Sequence, residues 1–397
     1  MFTFITLPVE LVYRILDHLE ALDLFCSIHN VCHRFNQILY AYDRYQVNIC
    51  IYITPLRVWM FICRENRCFM LHSHSKDYNT FQYLAQAFRD NTTLIELNLS
   101  ENYIREKGVQ HLTDALQVNS TLTKLYFWFN KTGDQGAQYL SHALQINSSL
   151  TTLYFWCNQI GNRGVQHLAY ALRVNATLTE LGLSSNEIEE EGAQYLAHAL
   201  QLNLTLVTLD LRYNRIGNQG ARHLADALQM NSTLVTLDLR YNAIGNEGAQ
   251  HLADALQVNS TLTTLNLSEN QIGRQGAQNF ADALRINKTL ATLDLHDNKI
   301  GAEGVLNLTD TALVNTVIFI LFRFLLNMHT SFVFIQTCSI VFDQLRIQLI
   351  GSKFSIKETK LPEPNQCLPK LERIFILFKK EVFVSFSIYQ CSVGLIE

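Results

Sequence analysis

The sequence has no excess of charge of either sign: 31 Lys and Arg stand against 35 Asp and Glu, a formal net charge of −4 over 397 residues. Nothing in that balance argues for a nucleic-acid partner, because phosphate binding needs a basic surplus. The chain does not open with a basic stretch, an apolar run and a small-residue cleavage site, so no secretory signal is read. Nine cysteines are scattered without any common spacing. That usage suggests free thiols in a reducing compartment, cytoplasmic or nuclear. Catalytic signatures are missing as well. There is no His-Glu-x-x-His, no nucleophile elbow and no paired-carboxylate pattern. Gly217-x-x-Gly220 and its copies are not followed by Gly-Lys-Ser/Thr, which excludes a phosphate loop. Cys63, Cys68, His72 and His74 are spaced C-x4-C-x3-H-x-H, which fits no zinc pattern. No enzyme activity, cofactor or metal is expected.

What the sequence does contain is a period. Its clearest copy runs from Thr205 to Ser232, and the next starts at Thr233, so the repeat length is 233 − 205 = 28 residues. Leu94, Leu122, Leu150, Leu178, Leu206, Leu234, Leu262 and Leu290 keep that spacing without a gap. A half copy covers Phe81 to Thr92, because Leu84 and Ala87 precede Leu112 and Ala115 by the same interval. An unbroken period of this length means a solenoid.

Each copy has two halves. In Leu206-x-x-Leu209-x-Leu211-x-x-Asn214, alternation at period two predicts a short strand with one buried face. Asn recurs at 102, 130, 158, 186, 214, 242, 270 and 298, where stacked amides can bond the backbone as each strand turns away. In the second half, Ala221, Leu224, Ala227 and Leu228 lie at i, i+3, i+6 and i+7, one face of a helix of about three turns. The small alanines let helix and strand approach closely. Asn231 stands where a residue tolerant of left-handed dihedrals ends a helix. Helices are wider than the roughly 4.8 Å between strands, so the stack should bend into a horseshoe with a concave parallel sheet. The recurring Asn-x-Ser/Thr at Asn119, Asn175, Asn203 and Asn231 arises from joining that Asn to the next strand, not from glycosylation. His111, His167, His223 and His251 share one helix position and read as a solvated or half-buried ladder, not as catalytic bases.

The Leu-x-x-Leu-x-Leu-x-x-Asn runs resemble the leucine-rich repeat family in its ribonuclease-inhibitor-like subtype. The resemblance implies an α/β solenoid over residues 81–316, and its members are mostly protein-binding scaffolds. Residues 1–49 form a separate small all-α module. Pro8 suits a first helical turn, and Leu11, Ile15, Leu16 and Leu19 fall on one helical face. Asp23-Leu24 can open a second helix, and Val31, Phe35, Ile38 and Leu39 line a third. The order Leu7-Pro8-x-Glu10-Leu11, Ile15-Leu16-x-x-Leu19, Asp23-Leu24, Val31-Cys32-x-Arg34-Phe35 resembles an F-box. That resemblance implies docking to a Skp-type adaptor, within a cullin ubiquitin ligase, through Leu7, Pro8, Leu11, Ile15, Leu16 and Leu19. The alternative is a helical cap on the solenoid.

Residues 50–80 read as a linker of mixed strand and loop. Residues 317–397 are apolar and out of phase. Arg323, Asn327 and His329 interrupt the run that would cross a membrane. The tail reads as a degenerate or mistranslated segment, an unusual cap, or a membrane anchor, and no membrane association is expected of the rest.

Strand residues between the leucines should face the concave side. Tyr126, Trp128, Tyr154 and Trp156 fall there on adjacent strands, with rings expected about 5 Å apart. Asp210, Arg212 and Tyr213, and Asp238, Arg240 and Tyr241, fall two strands further on. Aromatic residues and arginine dominate protein interfaces. The expected function is substrate recognition in a Skp–cullin–F-box ubiquitin ligase, with an unidentified protein substrate. Two readings compete: a cytosolic inhibitor or immune-receptor-like binding protein, and a GTPase activator of the kind one horseshoe family provides.

Overall fold

The computed structural model describes residues 49–53, 58–62, 68–73, 85, 88–89 and 91–312. The helices expected within residues 1–49 and the tail at 317–397 lie outside the described residues.

Among the described residues, one sheet carries eleven strands in sequence order. It opens with β1 (Ile49–Ile53), β2 (Val58–Ile62) and β3 (Cys68–Ser73), paired antiparallel in turn. From β3 onward every pairing is parallel: β4 (Glu96–Asn98), β5 (Lys124–Tyr126), β6 (Thr152–Tyr154), β7 (Glu180–Gly182), β8 (Thr208–Asp210), β9 (Thr236–Asp238), β10 (Thr264–Asn266) and β11 (Thr292–Asp294). Cys68 pairs with Glu96 and Phe69 with Leu97, so β3 lies one repeat length before β4. The half copy at Phe81–Thr92 therefore has a strand of its own. The sequence hides it because Phe69 stands where every later repeat carries leucine.

Eight helices follow the strands among the described residues: α1 (Arg105–Leu116), α2 (Gly133–Leu144), α3 (Asn162–Leu172), α4 (Glu190–Leu200), α5 (Gly217–Leu228), α6 (Asn246–Val258), α7 (Arg274–Ile286) and α8 (Gly301–Ala312). Each helix packs on the next. In α5 the face made by Ala221, Leu224, Ala227 and Leu228 is buried, as the periodicity predicts. These residues share one core with the strand leucines Leu209 and Leu211. A short strand offers only one or two inward side chains per repeat, so the core is continuous only because neighbouring repeats stack.

Two asparagine columns tie the repeats together. In the first, Asn214 Nδ2 donates to Leu183 O (3.0 Å), Leu211 O (3.0 Å) and Arg212 O (3.1 Å), while its Oδ1 accepts from Ile188 N (3.1 Å). In the second, Asn231 Nδ2 donates to Leu200 O (2.7 Å), and its Oδ1 accepts from Thr233 N (3.0 Å) and Leu234 N (2.8 Å). This corrects the expectation of a left-handed helix end at Asn231. The left-handed residue is the one before the first column: Tyr213 (φ 54°), Tyr241 (φ 53°), Ser185 (φ 53°) and their counterparts in other repeats. The helix-ending asparagines stay on the ordinary side, as at Asn259 (φ −71°), because the carboxamide itself bridges the turn. The Asn-x-Thr spacing is thus the geometry of a side chain capping the backbone two and three residues on.

A third link caps helix N-termini across repeats. Asp134 Oδ1 accepts from Gly161 N (2.8 Å) and Gly164 N (2.9 Å), and Asn218 and Asn246 do the same one repeat on. Unpaired amides at a helix start need such acceptors. No helix among the described residues is long and apolar enough to cross a membrane.

Candidate functional site

The open face of the sheet, away from the helices, is set by alternation. Leu125, Leu153, Leu181, Leu209 and Leu237 point into the core, so their neighbours point out. Register aligns Tyr126 with Tyr154, Gly182, Asp210 and Asp238 in one row. Trp128, Trp156, Ser184, Arg212 and Arg240 follow two residues on in each repeat.

The rows do not stay separate. Tyr126 and Tyr154 lie 5.1 Å apart between ring centroids, close to the expected spacing. Tyr154 meets Trp156 edge-on at 5.0 Å, and its hydroxyl bonds Glu180. Trp156 then leans across Gly182. A Cβ built on that glycine would lie 2.0 Å from Trp156 Nε1 and 2.8 Å from Tyr154 Cδ1. The indole fills the space that a side chain would occupy in its row. Arg212 closes the series, its guanidinium carbon 5.4 Å from the Trp156 ring centroid. The result is a contiguous band from Tyr126 to Arg212 over four strands. The buried Trp156 Nε1 has no hydrogen-bond partner among the described residues.

The arginines are not free cations. Arg212 Nε and Nη2 bond Asp210 at 2.8 and 2.7 Å, and Arg212 Nε lies 3.7 Å from Asp238. Arg240 binds Asp238 through Nη2 at 2.9 Å. Burial raises the Asp238 pKa above the ordinary carboxylate range, against the opposing bond and charge of Arg240. Burial weighs against the charged form of Arg212, but the Asp210 hydrogen bond and charge outweigh it, so its pKa is raised. This end of the face presents neutralised ion pairs whose polar edges remain available.

Tyr213 and Tyr241 fall off the strand face. Both lie past the ends of β8 and β9 in left-handed turns, and they stack at 4.2 Å with an interplanar angle of 17°. At 49% and 40% exposure they form a rim beside the arginines. Trp128 is half-buried and holds the equivalent position one strand before Trp156, where its backbone N–H reaches Ser100 Oγ at 3.3 Å. Glu180 and Gly182 are the positions that the sequence reading did not single out. A glycine in a row otherwise holding tyrosine and aspartate was the available signal. The adaptor-docking residues Leu7, Pro8, Leu11, Ile15, Leu16 and Leu19 lie outside the described residues. His111, His167, His223 and His251 are half-buried, and burial followed by the charges of Arg163 and His142 lowers the His167 pKa.

Seven segments match the Leucine Rich repeat family model: residues 90–112, 147–169, 174–197, 202–225, 231–253, 258–281 and 287–308. The matched segments coincide with the strand–helix units described above, which have a fold of the leucine-rich-repeat type. Among solved structures, the chain is similar to "Leiomodin-1 Actin-Binding Site 2 (ABS2)", with 24% identity and a TM-score of 0.29, over 40% of this chain and 82% of that one. It is also similar to the tropomodulin C-terminal domain of Caenorhabditis elegans, with 14% identity and a TM-score of 0.33, over 37% of this chain and 90% of that one. No curated protein matches the sequence.

Proposed function

We propose that the open face from Tyr126 to Arg240 is a protein-recognition surface, and that the chain is a non-catalytic receptor. The observation that carries this is the contiguous Tyr126–Tyr154–Trp156–Arg212 band. Stacked rings held rigid by their neighbours lose little conformational entropy on binding, and rings with arginine are the usual energetic anchors of interfaces. The tyrosine pair on the rim extends the same surface.

The role of that receptor is substrate recognition in a Skp–cullin–F-box ubiquitin ligase. Its support is the sequence of residues 7–35, where Leu7, Pro8, Leu11, Ile15, Leu16 and Leu19 resemble the adaptor-binding face of an F-box. A module of that size buries little core and gains stability from a partner. Comparative affinity purification tests both parts. The parent chain should recover a Skp-type adaptor together with a protein substrate. Changing Leu7, Pro8 and Leu11 to Ala should lose the adaptor and keep the substrate; Trp128→Ala with Trp156→Ala should do the reverse. Equal adaptor recovery by the parent and the triple variant, or none by either, refutes the ligase role.

A further inference from the structure

The last strand of the open face ends in a cluster of a different kind. His296 stands in the row of Arg212 and Arg240 and is 8% exposed. Its Nδ1 lies 2.6 Å from Asp294 Oδ1. Its Nε2 faces Asp297 Oδ2 at 3.7 Å and Glu269 Oε1 at 4.0 Å, both beyond hydrogen-bond range. One ligand atom each from Glu269, His296 and Asp297 lies within 4.8 Å of the others. Glu269 and Asp297 are one repeat apart and share the left-handed turn (φ 56° and 51°), so parallel turns deliver the two carboxylates side by side.

We infer that Glu269, His296 and Asp297 form a binding site for a divalent transition-metal ion of the zinc class, with Asp294 positioning the imidazole. Three carboxylates surround one imidazole, so the cluster is negative even with the ring protonated, and a divalent cation supplies the missing charge. Imidazole nitrogen with carboxylate oxygen is a donor set that zinc accepts. A bond from Nδ1–H to Asp294 leaves the lone pair of the neutral ring on Nε2, and this carboxylate–histidine relay is how metal-binding imidazoles are held. Two ligands on a tetrahedral zinc ion lie roughly 3.3 Å apart, given bonds of about 2.0 Å. The gaps of 3.7 Å from His296 to Asp297 and 4.0 Å to Glu269 are wider than that, so the ligands must draw together around the ion. The Asp297 side chain is 58% exposed and that of Glu269 25%, so each carboxylate has room to rotate toward His296 and close its own gap. Three protein ligands leave a fourth position for water or for a residue of a bound partner.

The test uses the full chain, stripped with chelator and titrated with zinc against a chromogenic competitor. The expected result is one zinc equivalent that His296→Ala removes. Glu269→Gln with Asp297→Asn should weaken it at least tenfold, and Asp294→Asn should lower affinity roughly 10–100-fold without changing the stoichiometry. Comparing stoichiometries separates this site from any zinc held by Cys63, Cys68, His72 or His74. The exposed carboxylate pair serves as the test if His296→Ala fails to fold. Zinc binding absent from the parent, or unchanged in number and affinity in the carboxylate variant, overturns the assignment. Neither outcome bears on partner or adaptor binding, which the purification experiment reads separately.

Discussion

Asn214→Ala tests how the repeats are joined, and its cost can be worked from the bonds lost. The side chain is buried and makes four hydrogen bonds. Three of its partners keep another donor after the change. Leu183 O retains Asn186 Nδ2 at 3.1 Å, Leu211 O retains Asn242 Nδ2 at 2.8 Å, and Arg212 O retains the Ser185 amide at 2.8 Å. Ile188 N–H loses the Asn214 oxygen and is left in the core. One stranded buried amide costs about 1–3 kcal/mol, so the total should be near 2 kcal/mol. With a urea slope of roughly 2 kcal/mol/M, the midpoint falls by about 1 M. Asn214→Asp keeps an acceptor for Ile188 but turns a carboxylate toward three carbonyl oxygens, so it should cost more than alanine. Urea unfolding followed by circular dichroism gives the midpoints, and amide exchange at Ile188 reports the local bond. An unchanged midpoint together with unchanged exchange at Ile188 would refute the reasoning.

Leu209→Ala removes a fully buried strand leucine and should cost roughly 2–5 kcal/mol by the same assay; a midpoint equal to the parent's would mean that the strand register is wrong. Gly182→Ala places a methyl group against Trp156 and Tyr154, so it should swing the indole off the sheet, shift its fluorescence to the red and weaken partner binding without unfolding the chain. An unmoved emission spectrum contradicts the close approach. The raised Asp238 pKa favours the protonated folded form, so its contribution to stability is complete below the ordinary carboxylate pKa and lost as pH rises through the raised value. The stability of the parent relative to Asp238→Asn should therefore decline as pH rises above the ordinary carboxylate pKa; a difference that is flat or rises with pH there argues against burial as the cause.

The solenoid was legible because its cause is local and repeated. Leu206, Leu209 and Leu211 must be inward for any copy to fold, and every copy says so. The role of Asn214 was legible for the same reason. Asn231 was misread because the sequence shows that an asparagine recurs but not what it touches: its Nδ2 reaches Leu200 O and Asn203 O of the preceding repeat, while its Oδ1 caps Thr233 N and Leu234 N. The aromatic residues were legible by alternation, but the tilt of Trp156 over Gly182 is a contact between rows, which periodicity does not encode. Tyr213 and Tyr241 were misplaced because alternation was carried past the last strand residue, into a turn where the backbone reverses sign in φ. The Asp210–Arg212 and Asp238–Arg240 pairings were open to inspection at i and i+2. His296 went unnoticed because its row elsewhere holds arginine, tryptophan or serine. The signal was the spacing of Glu269 to Asp297 across one repeat.

The central claim is that the open face holds a protein partner by its rings. The most direct measurement is a titration of the partner captured by the parent chain, against the parent and against Trp128→Ala with Trp156→Ala, at low and high salt. The account predicts a loss of more than about 2 kcal/mol, roughly 30-fold in affinity, that changes little with salt. Full affinity in the double variant would contradict it and would move the binding surface to the helices or the loops.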